Sequence, residues 1–486
     1  MARPSAVLAL DLGSTSLKAG LVGLDGTLLD SARSSYEMPF SEESGHAEQD
    51  PEAWWDALVD VTGQLVARGA AEIIAVAADG HGPTLVAVDA DGRPTRPAIT
   101  WLDTRAAAEL AELSAASGLR GWALGVLPAA LWLERHEPAA AAATCWYLNT
   151  WEFLAFRLTG RAATSLVPGQ QLPTPDVLAG LGLPPDRVAP PVAAGERVGE
   201  LLPRVAATVG LPAGLPVVAG VVDAFASFHG AGLLDPGDAI DVGGAAGGFG
   251  VYASDPVDAP GSFCTPAPLV GRYVVGGAMA ATGRALDWLH GSVLGGSVSI
   301  DQLVAEAATV APGADGLVFL PYLAGERSPI WDPQARGAFV GLTVRHGRAH
   351  LARAVLEAAA LAIRHVAAPI LVAGVGVSEM RVCGGPARSA AWNQLKADIT
   401  GFPVGVPHAL ETAVIGSGIL GALGIGAYPD LPRAIRAMTR IDRRLQPDPT
   451  LRERYDALYE TYVAIHPAIA PIMEPYVAAL EPAATR

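Results

Sequence analysis

Apolar and polar positions follow the same pattern at two places far apart in the chain. An apolar run over 7–10 (VLAL) stops at Asp11. A small polar turn follows, Leu12-Gly13-Ser14-Thr15-Ser16, and apolar residues resume over 17–24. Later, Ala239-Ile240 leads into Asp241-Val242-Gly243-Gly244-Ala245-Ala246, and glycine and apolar residues resume over 247–252. Each pattern predicts a strand, a tight turn and a second strand, which is a β-hairpin. A repeat this widely spaced predicts two domains of one architecture, because solenoid periods are far shorter. On the echo alone, chance explains two Asp-x-Gly turns equally well.

The remaining pattern mixes short strands with helices. Residues 51–63 predict a helix with Asp50 as N-cap, Pro51 at its first position, and Trp54, Leu58 and Val61 on one face. Residues 72–77 form a β-rich run before Asp79-Gly80-His81-Gly82, and apolar residues resume over 85–88. Periodicity over 351–366 predicts a helix. A short strand over 380–382 feeds Gly384-Gly385, with a helical stretch over 391–400 behind it. Such alternation predicts α/β layers. Residues 164–216, rich in Pro and Gly, read as loop-heavy. The tail, 451–477, carries two amphipathic helical patterns around Pro467 and Pro471.

Composition narrows the class. At 486 residues the chain predicts two or more domains. A 51% hydrophobic and 17% charged composition supplies large cores and excludes a disordered chain. The net charge is −16 with no run of Lys or Arg, which argues against nucleic-acid and anionic-membrane partners. Backbone amides and a divalent cation can still handle phosphate locally in an acidic protein. Cys145, Cys264 and Cys383 lack metal-ligand spacing and read as free thiols of a reducing cytosol. The apolar run at the N-terminus is too short for a signal-peptide core. The apolar stretch 355–377 is interrupted by Glu357, Arg364, His365 and Pro369, so it reads as a buried helix with a break, not a membrane span. A cytoplasmic protein is expected.

Several segments carry candidate chemistry. Asp11 sits at a strand end beside Gly13 and the hydroxyls of Ser14, Thr15 and Ser16, where loop amides could close on phosphate and the carboxylate could hold Mg²⁺. Asp223, after the apolar Ala219-Gly220-Val221-Val222, reads as a strand-end carboxylate suited to a general base or to a cap. Gly384 and Gly385 permit close approach of a base or ribose, and Ser389 can cap the following helix. Gly325-Glu326-Arg327-Ser328-Pro329 reads as a domain-interface loop or an exposed salt-bridged turn. Each signal alone is weak, and an ordinary turn or cap is the commoner explanation for any one of them.

Taken in order, the segments resemble the FGGY carbohydrate kinases of the actin-like ATPase superfamily. The resemblance spans about 7–473. Its most specific stretches are 325–343 (GERSPIWDPQARGAFVGLT) and 382–401 (VCGGPARSAAWNQLKADITG). Residues 45–55 (GHAEQDPEAWW), 99–105 (ITWLDTR) and 147–160 (YLNTWEFLAFRLTG) are also similar to xylulokinase and gluconokinase members. The resemblance implies an α/β fold of two actin-like (ribonuclease H-like) domains, 1–236 and 237–486, with an interdomain cleft. The last helices are allowed to pack back on the first domain.

It also implies a kinase that uses ATP and Mg²⁺ and acts on a small sugar or polyol; a homodimer is compatible with it. Asp11 matches the Mg²⁺-associated aspartate of the first phosphate loop, with Gly13, Ser14, Thr15, Ser16 and Lys18 beside the phosphates. Asp223 matches the catalytic base and lies near the metal. Gly244 and Ala245 fall in the second phosphate loop. Gly384, Gly385, Ala387, Arg388, Ser389 and Asn393 fall in the adenosine motif, and Gly80, His81, Trp101 and Asp103 where sugar is bound. One departure stands out: family members carry Gly-Thr-Ser where this chain has Gly244-Ala245-Ala246. A lost hydrogen bond to a charged group costs roughly 1.5–3 kcal/mol. The first expectation for the acceptor is a ketopentose such as xylulose. Gluconate or another polyol is the alternative, or a binding homologue without turnover.

Overall fold

The computed structural model describes residues 3–41, 45–244 and 246–480. The chain forms two compact units. One comprises Met1–Gly232, Thr265–Gly271 and Glu411–Arg440; the other comprises Leu233–Cys264, Arg272–Leu410 and Ile441–Arg486. The change of unit at Gly232/Leu233 lies close to the anticipated 236/237. The C-terminal segment that joins the first unit is Glu411–Arg440, whereas the last helix stays with the second.

In the first unit, the strand Ser5–Leu12 runs antiparallel to Ser16–Gly23 and parallel to Glu72–Gly80. Leu28–Ser35 extends the sheet on the hairpin side, and Pro216–Val218 and Arg197–Glu200 on the other. The central strand is buried on both faces, so it reads as an unbroken apolar run. Leu8, Leu10 and Leu12 share a core with Trp54, Leu58, Val61 and Leu65 of the helix Pro51–Arg68. That helix starts as the sequence predicts, with the Asp50 side chain accepting from the Glu52 amide.

Val7 points to the opposite face, covered by the helix Thr412–Gly424. This helix lies close because it is glycine-studded. A Cβ on Gly421 would meet Val7 at 2.4 Å, and one on Gly416 would meet the Ala226 carbonyl at 1.9 Å.

The second unit repeats the plan. Asp238–Val242 runs antiparallel to Gly247–Ala253 and parallel to Glu379–Cys383, and the sheet continues through Val404–Pro407 to Ile441–Leu445. The echo of two hairpins is therefore a structural duplication. Its core is built on the helix Arg348–Val372, the one helix among the described residues long and apolar enough to cross a membrane; most of its side chains from Ala352 to Ile370 are buried in this unit. The break anticipated near Pro369 does not occur. The proline sits in the last turn, where few backbone bonds remain to be lost.

The tail likewise forms one helix, Arg452–Leu480, running through Pro467, Pro471 and Pro475. These prolines recur every four residues on the exposed face, so water can solvate the carbonyls they leave unbonded. Tyr455, Tyr462 and Ile465 bury the other face in the second unit's core. The stretch 164–216, anticipated as loop, also holds the helices Pro175–Leu181 and Pro203–Val209 and three short strands.

Candidate active site

Strand register builds a polar row across the first sheet. Asp11 pairs with Asp79 on its parallel neighbour and with Lys18 on its antiparallel one. Alternation along the strand places Asp11 on the Val7 face, toward the helix Thr412–Gly424. Two residues at that helix reach the row. Lys18 Nζ donates to Glu411 Oε2 at 2.7 Å and lies 3.7 Å from Asp11 Oδ2, while Ser417 Oγ donates to Asp79 Oδ2 at 2.6 Å. Asp79, Glu411 and Ser417 are absent from the sequence-based site. Glu411 lies 393 residues from Lys18 in the chain and Ser417 lies 338 from Asp79, and only folding joins them.

Asp223 is not at the end of a strand. It opens the helix Asp223–Gly230, and one carboxylate oxygen accepts from the Ala224 amide at 2.7 Å. Burial, then the charge of Asp11, raises its pKa to about 7. Burial also raises Asp11, partly offset by Lys18, and burial followed by Asp11 raises Asp79 well above the carboxylate range. Three buried carboxyl groups, Asp11, Asp79 and Asp223, thus act on one another beside Lys18. Carboxyl groups crowded in this way suit a divalent cation, whose charge would favour their ionised forms. No three His, Cys, Asp or Glu side chains among the described residues converge to ligate one ion. Mg²⁺ commonly takes one or two carboxylates and leaves its other positions to water and phosphate.

The turn after Asp11 is held by its carbonyls. Gly13 N–H donates to Ser16 O at 3.0 Å, Tyr36 O–H donates to Gly13 O at 2.5 Å, and Tyr36 N–H donates to Thr15 O at 3.0 Å. Gln49 Nε2 donates to Ser14 O at 2.8 Å, and Trp101 Nε1 donates to Ser14 Oγ at 3.1 Å. Trp101 therefore touches the turn itself. Thr15 is exposed and Ser16 buried.

His81 is buried edge-on against Trp54, with ring centroids 5.3 Å apart, and its Nδ1 lies 3.0 Å from Thr84 Oγ1. Burial lowers its pKa to about 3, so the ring is neutral. Gly80 must be glycine, since a Cβ would lie 2.3 Å from Thr150 Oγ1. Asp103 departs from the expectation of a sugar ligand. Its carboxylate is fully covered and accepts from the Ala47 amide at 2.7 Å and from Arg105 Nε and NH2 at 2.8 and 2.7 Å. Burial works against its charge, yet these bonds hold its pKa below the usual range. Asp103 fastens the loop that carries Trp101.

In the second unit the echoing Asp241 has a different setting. Its register partners are Val382 and Phe249, and it forms a buried ion pair with Lys396. An aspartate neutralised this way is not available to a cation. The turn 384–388 abuts Gly243: Gly384 has φ +72°, and a Cβ there would lie 2.1 Å from Gly243 O. Gly244, Gly385 and Arg388 are exposed; Ala387 is buried. Ala245 lies outside the described residues. Ser389 caps the helix Ala390–Thr400 by accepting from Trp392 N at 3.2 Å.

Asn393, anticipated at adenosine, is instead fully buried beneath the turn, donating from Nδ2 to Ala387 O at 2.7 Å. It supports the turn. Glu326 is not part of an exposed turn. It is buried, accepts from the Ala280 and Arg327 amides at 2.8 and 2.7 Å, and burial raises its pKa to about 7.

Comparison with known proteins assigns the class. Residues 6–230 match the N-terminal domain of the FGGY family of carbohydrate kinases and residues 242–425 its C-terminal domain, so the chain belongs to that family. It is a sugar kinase, with ATP as co-substrate and an actin-like α/β fold in two units. The chain is similar to the xylulose kinase of Escherichia coli, at 32% identity over 81% of this chain and 84% of that one. The gluconokinase of Bacillus subtilis is 27% identical over 87% and 88%. The solved structure of a xylulose kinase from Rhodospirillum rubrum matches with a TM-score of 0.81 at 32% identity, covering 96% of this chain and 99% of that one.

Proposed function

We propose that the protein transfers the γ-phosphoryl group of ATP to a hydroxyl of a ketopentose such as xylulose, with Asp223 as the base. The buried Asp223 beside Asp11, with its pKa moved to about 7, carries this reading. A base works best when its pKa lies near the working pH. Ionised Asp223 accepts the proton of the attacking hydroxyl. Phosphoryl transfer otherwise needs alignment and charge neutralisation, because little covalent work falls to the protein.

Mg²⁺, which would sit toward Asp11 with Asp223 nearby, would supply neutralising charge at the phosphates. Lys18 and the Gly13–Ser16 turn contribute positive charge and amide donors on the same side. His81 and Trp101 contribute to the sugar side, where a neutral His81 ring can exchange hydrogen bonds with hydroxyls. Gly244 and the turn 384–388 contribute to the nucleotide site.

The family likeness to xylulose kinases favours a ketopentose over gluconate. A coupled ADP-release assay with Mg-ATP and a panel of ketoses, polyols and aldonates tests this. Release with xylulose above all is expected. Preferential release with gluconate reassigns the acceptor, and silence across the panel in a folded, ATP-binding sample overturns the reading.

Two further outcomes are expected. Since the charged form of Asp223 is the active one and burial favours the neutral form, kcat/KM rises with pH through about 7 and levels off above it. It falls about tenfold per unit on the acid side; a profile flat from pH 5 to 8 contradicts this. Gly384→Ala forces both a left-handed backbone and a contact with Gly243 O, and strain of this kind costs about 1–3 kcal/mol. ADP affinity measured by calorimetry is expected to fall about tenfold or more, with sugar affinity unchanged.

A further inference from the structure

We propose that Thr84 is a positioning residue of the sugar site: its hydroxyl fixes the His81 ring in the tautomer protonated on Nε2, which makes Nε2 a hydrogen-bond donor for an oxygen of the acceptor sugar. The inference rests on the reading of His81 as a sugar-side residue.

Thr84 is 0% exposed, so its hydroxyl must find its partners inside the protein. Among the described residues it has two: the Trp101 backbone nitrogen at 3.2 Å and His81 Nδ1 at 3.0 Å. A backbone N–H can only donate, so Trp101 occupies a lone pair of the hydroxyl oxygen. The hydroxyl hydrogen is left with one acceptor, Nδ1, which must then be unprotonated. His81 is 2% exposed, and burial without a charged partner among the described residues keeps the ring neutral. A neutral ring carries one proton, and the bond at Nδ1 places it on Nε2.

The opposite tautomer is the worse of the two. A proton on Nδ1 would leave the Thr84 hydroxyl hydrogen without an acceptor and Nε2 as a second unpaired atom. With the proton on Nε2, one unpaired atom remains: Nε2 is buried and has no hydrogen-bond partner among the described residues. A donor left unpaired away from water is costly, and the fold gains nothing from it. An oxygen of a bound sugar would pair it. Because the ring is nearly covered, that oxygen reaches Nε2 only with local movement of the side chains around it. A donor held in this way favours a ligand with an oxygen at that place over one without, since the second leaves the donor unpaired.

The same hydroxyl holds the other residue read as sugar-side. Trp101 is bonded to Thr84 through its backbone, while its indole donates to Ser14 Oγ in the turn after Asp11 at 3.1 Å. Thr84 thus sets the ring and the loop together, although it lies 3 positions from His81 and 17 from Trp101 in the chain.

The test reads the tautomer directly, from proton–nitrogen correlation spectra of the full chain isotopically labelled at its histidine nitrogens. His81→Asn marks the resonances that belong to this ring. The parent is expected to carry the proton on Nε2 at neutral pH, and added xylulose to shift that resonance. In Thr84→Val, which removes the hydroxyl at nearly constant volume, the ring is expected to populate both tautomers. KM for xylulose is expected to rise about tenfold, the worth of one hydrogen bond, with KM for ATP within about twofold. Thr84→Ser, which keeps the hydroxyl, is expected to restore the tautomer and the xylulose KM. A proton on Nδ1 in the parent overturns the proposal, and that reading needs no variant, so it decides even where Thr84→Val does not fold. A pure Nε2 tautomer with unchanged xylulose KM in Thr84→Val overturns it as well. A proton on Nε2 that saturating xylulose leaves undisturbed removes instead the reading of His81 as a sugar residue, and the role of Thr84 falls with it.

Discussion

Replacing Asp223 with alanine is expected to lower sugar-dependent ADP release by about a thousandfold, within the 10²- to 10⁴-fold range of a positioned base. The residue opens a helix, its carboxylate is buried, and the charge of Asp11 keeps it basic enough to take a proton near neutrality. Asp223→Asn sharpens the experiment. An amide oxygen can still accept from the Ala224 amide, so the helix start is kept while the base is removed. Both variants should retain sugar binding, read from tryptophan fluorescence, because the loss concerns the transferred proton. A reduction of less than tenfold in Asp223→Asn removes the residue from the role of base.

Gly416→Ala is expected to cost about 3 kcal/mol or more, at the upper end of overpacking penalties. For a unit of this size that lowers the melting temperature by several degrees. The added methyl would stand 1.9 Å from the Ala226 carbonyl oxygen and 2.5 Å from its carbon, both backbone atoms that cannot rotate away. The facing residue across the same crossing is equally tight: a Cβ on Gly230 would lie 1.9 Å from Thr412 O. Pushing these helices apart displaces Ser417 and Glu411 from the polar row and moves the helix that begins at Asp223. Activity is therefore expected to fall together with stability. Melting curves that match the parent would show that the helices have room the packing does not display.

Much of the fold was legible because it rests on local rules. The hairpin at Asp11, the Asp50 cap and the Ser389 cap each depend on residues within a few positions of one another, so pattern and propensity suffice. The single helices through Pro369 and through Pro467 were not legible. Whether a proline breaks a helix depends on whether the carbonyl it orphans meets water or lies in a last turn, and that is set by packing. Asp103 and Asn393 were misplaced for a related reason: a motif names the loop, but burial decides whether its polar side chain faces out or fastens the loop from beneath.

By itself, the sequence determined two hairpins with an aspartate at each first-strand end, an α/β order, and the loops proposed for the phosphate and sugar chemistry. Tertiary structure decided which aspartate can serve. Asp11 and Asp241 occupy the same step of a duplicated sheet, yet one stands in a row with Asp79 and Lys18 while the other is neutralised by Lys396. No local pattern carries that difference. It arises from register between strands more than 60 residues apart and from Ser417 and Glu411, brought in by a late helix. An ionisable group's chemistry follows from the charges and burial around it, and those exist only after the chain has folded.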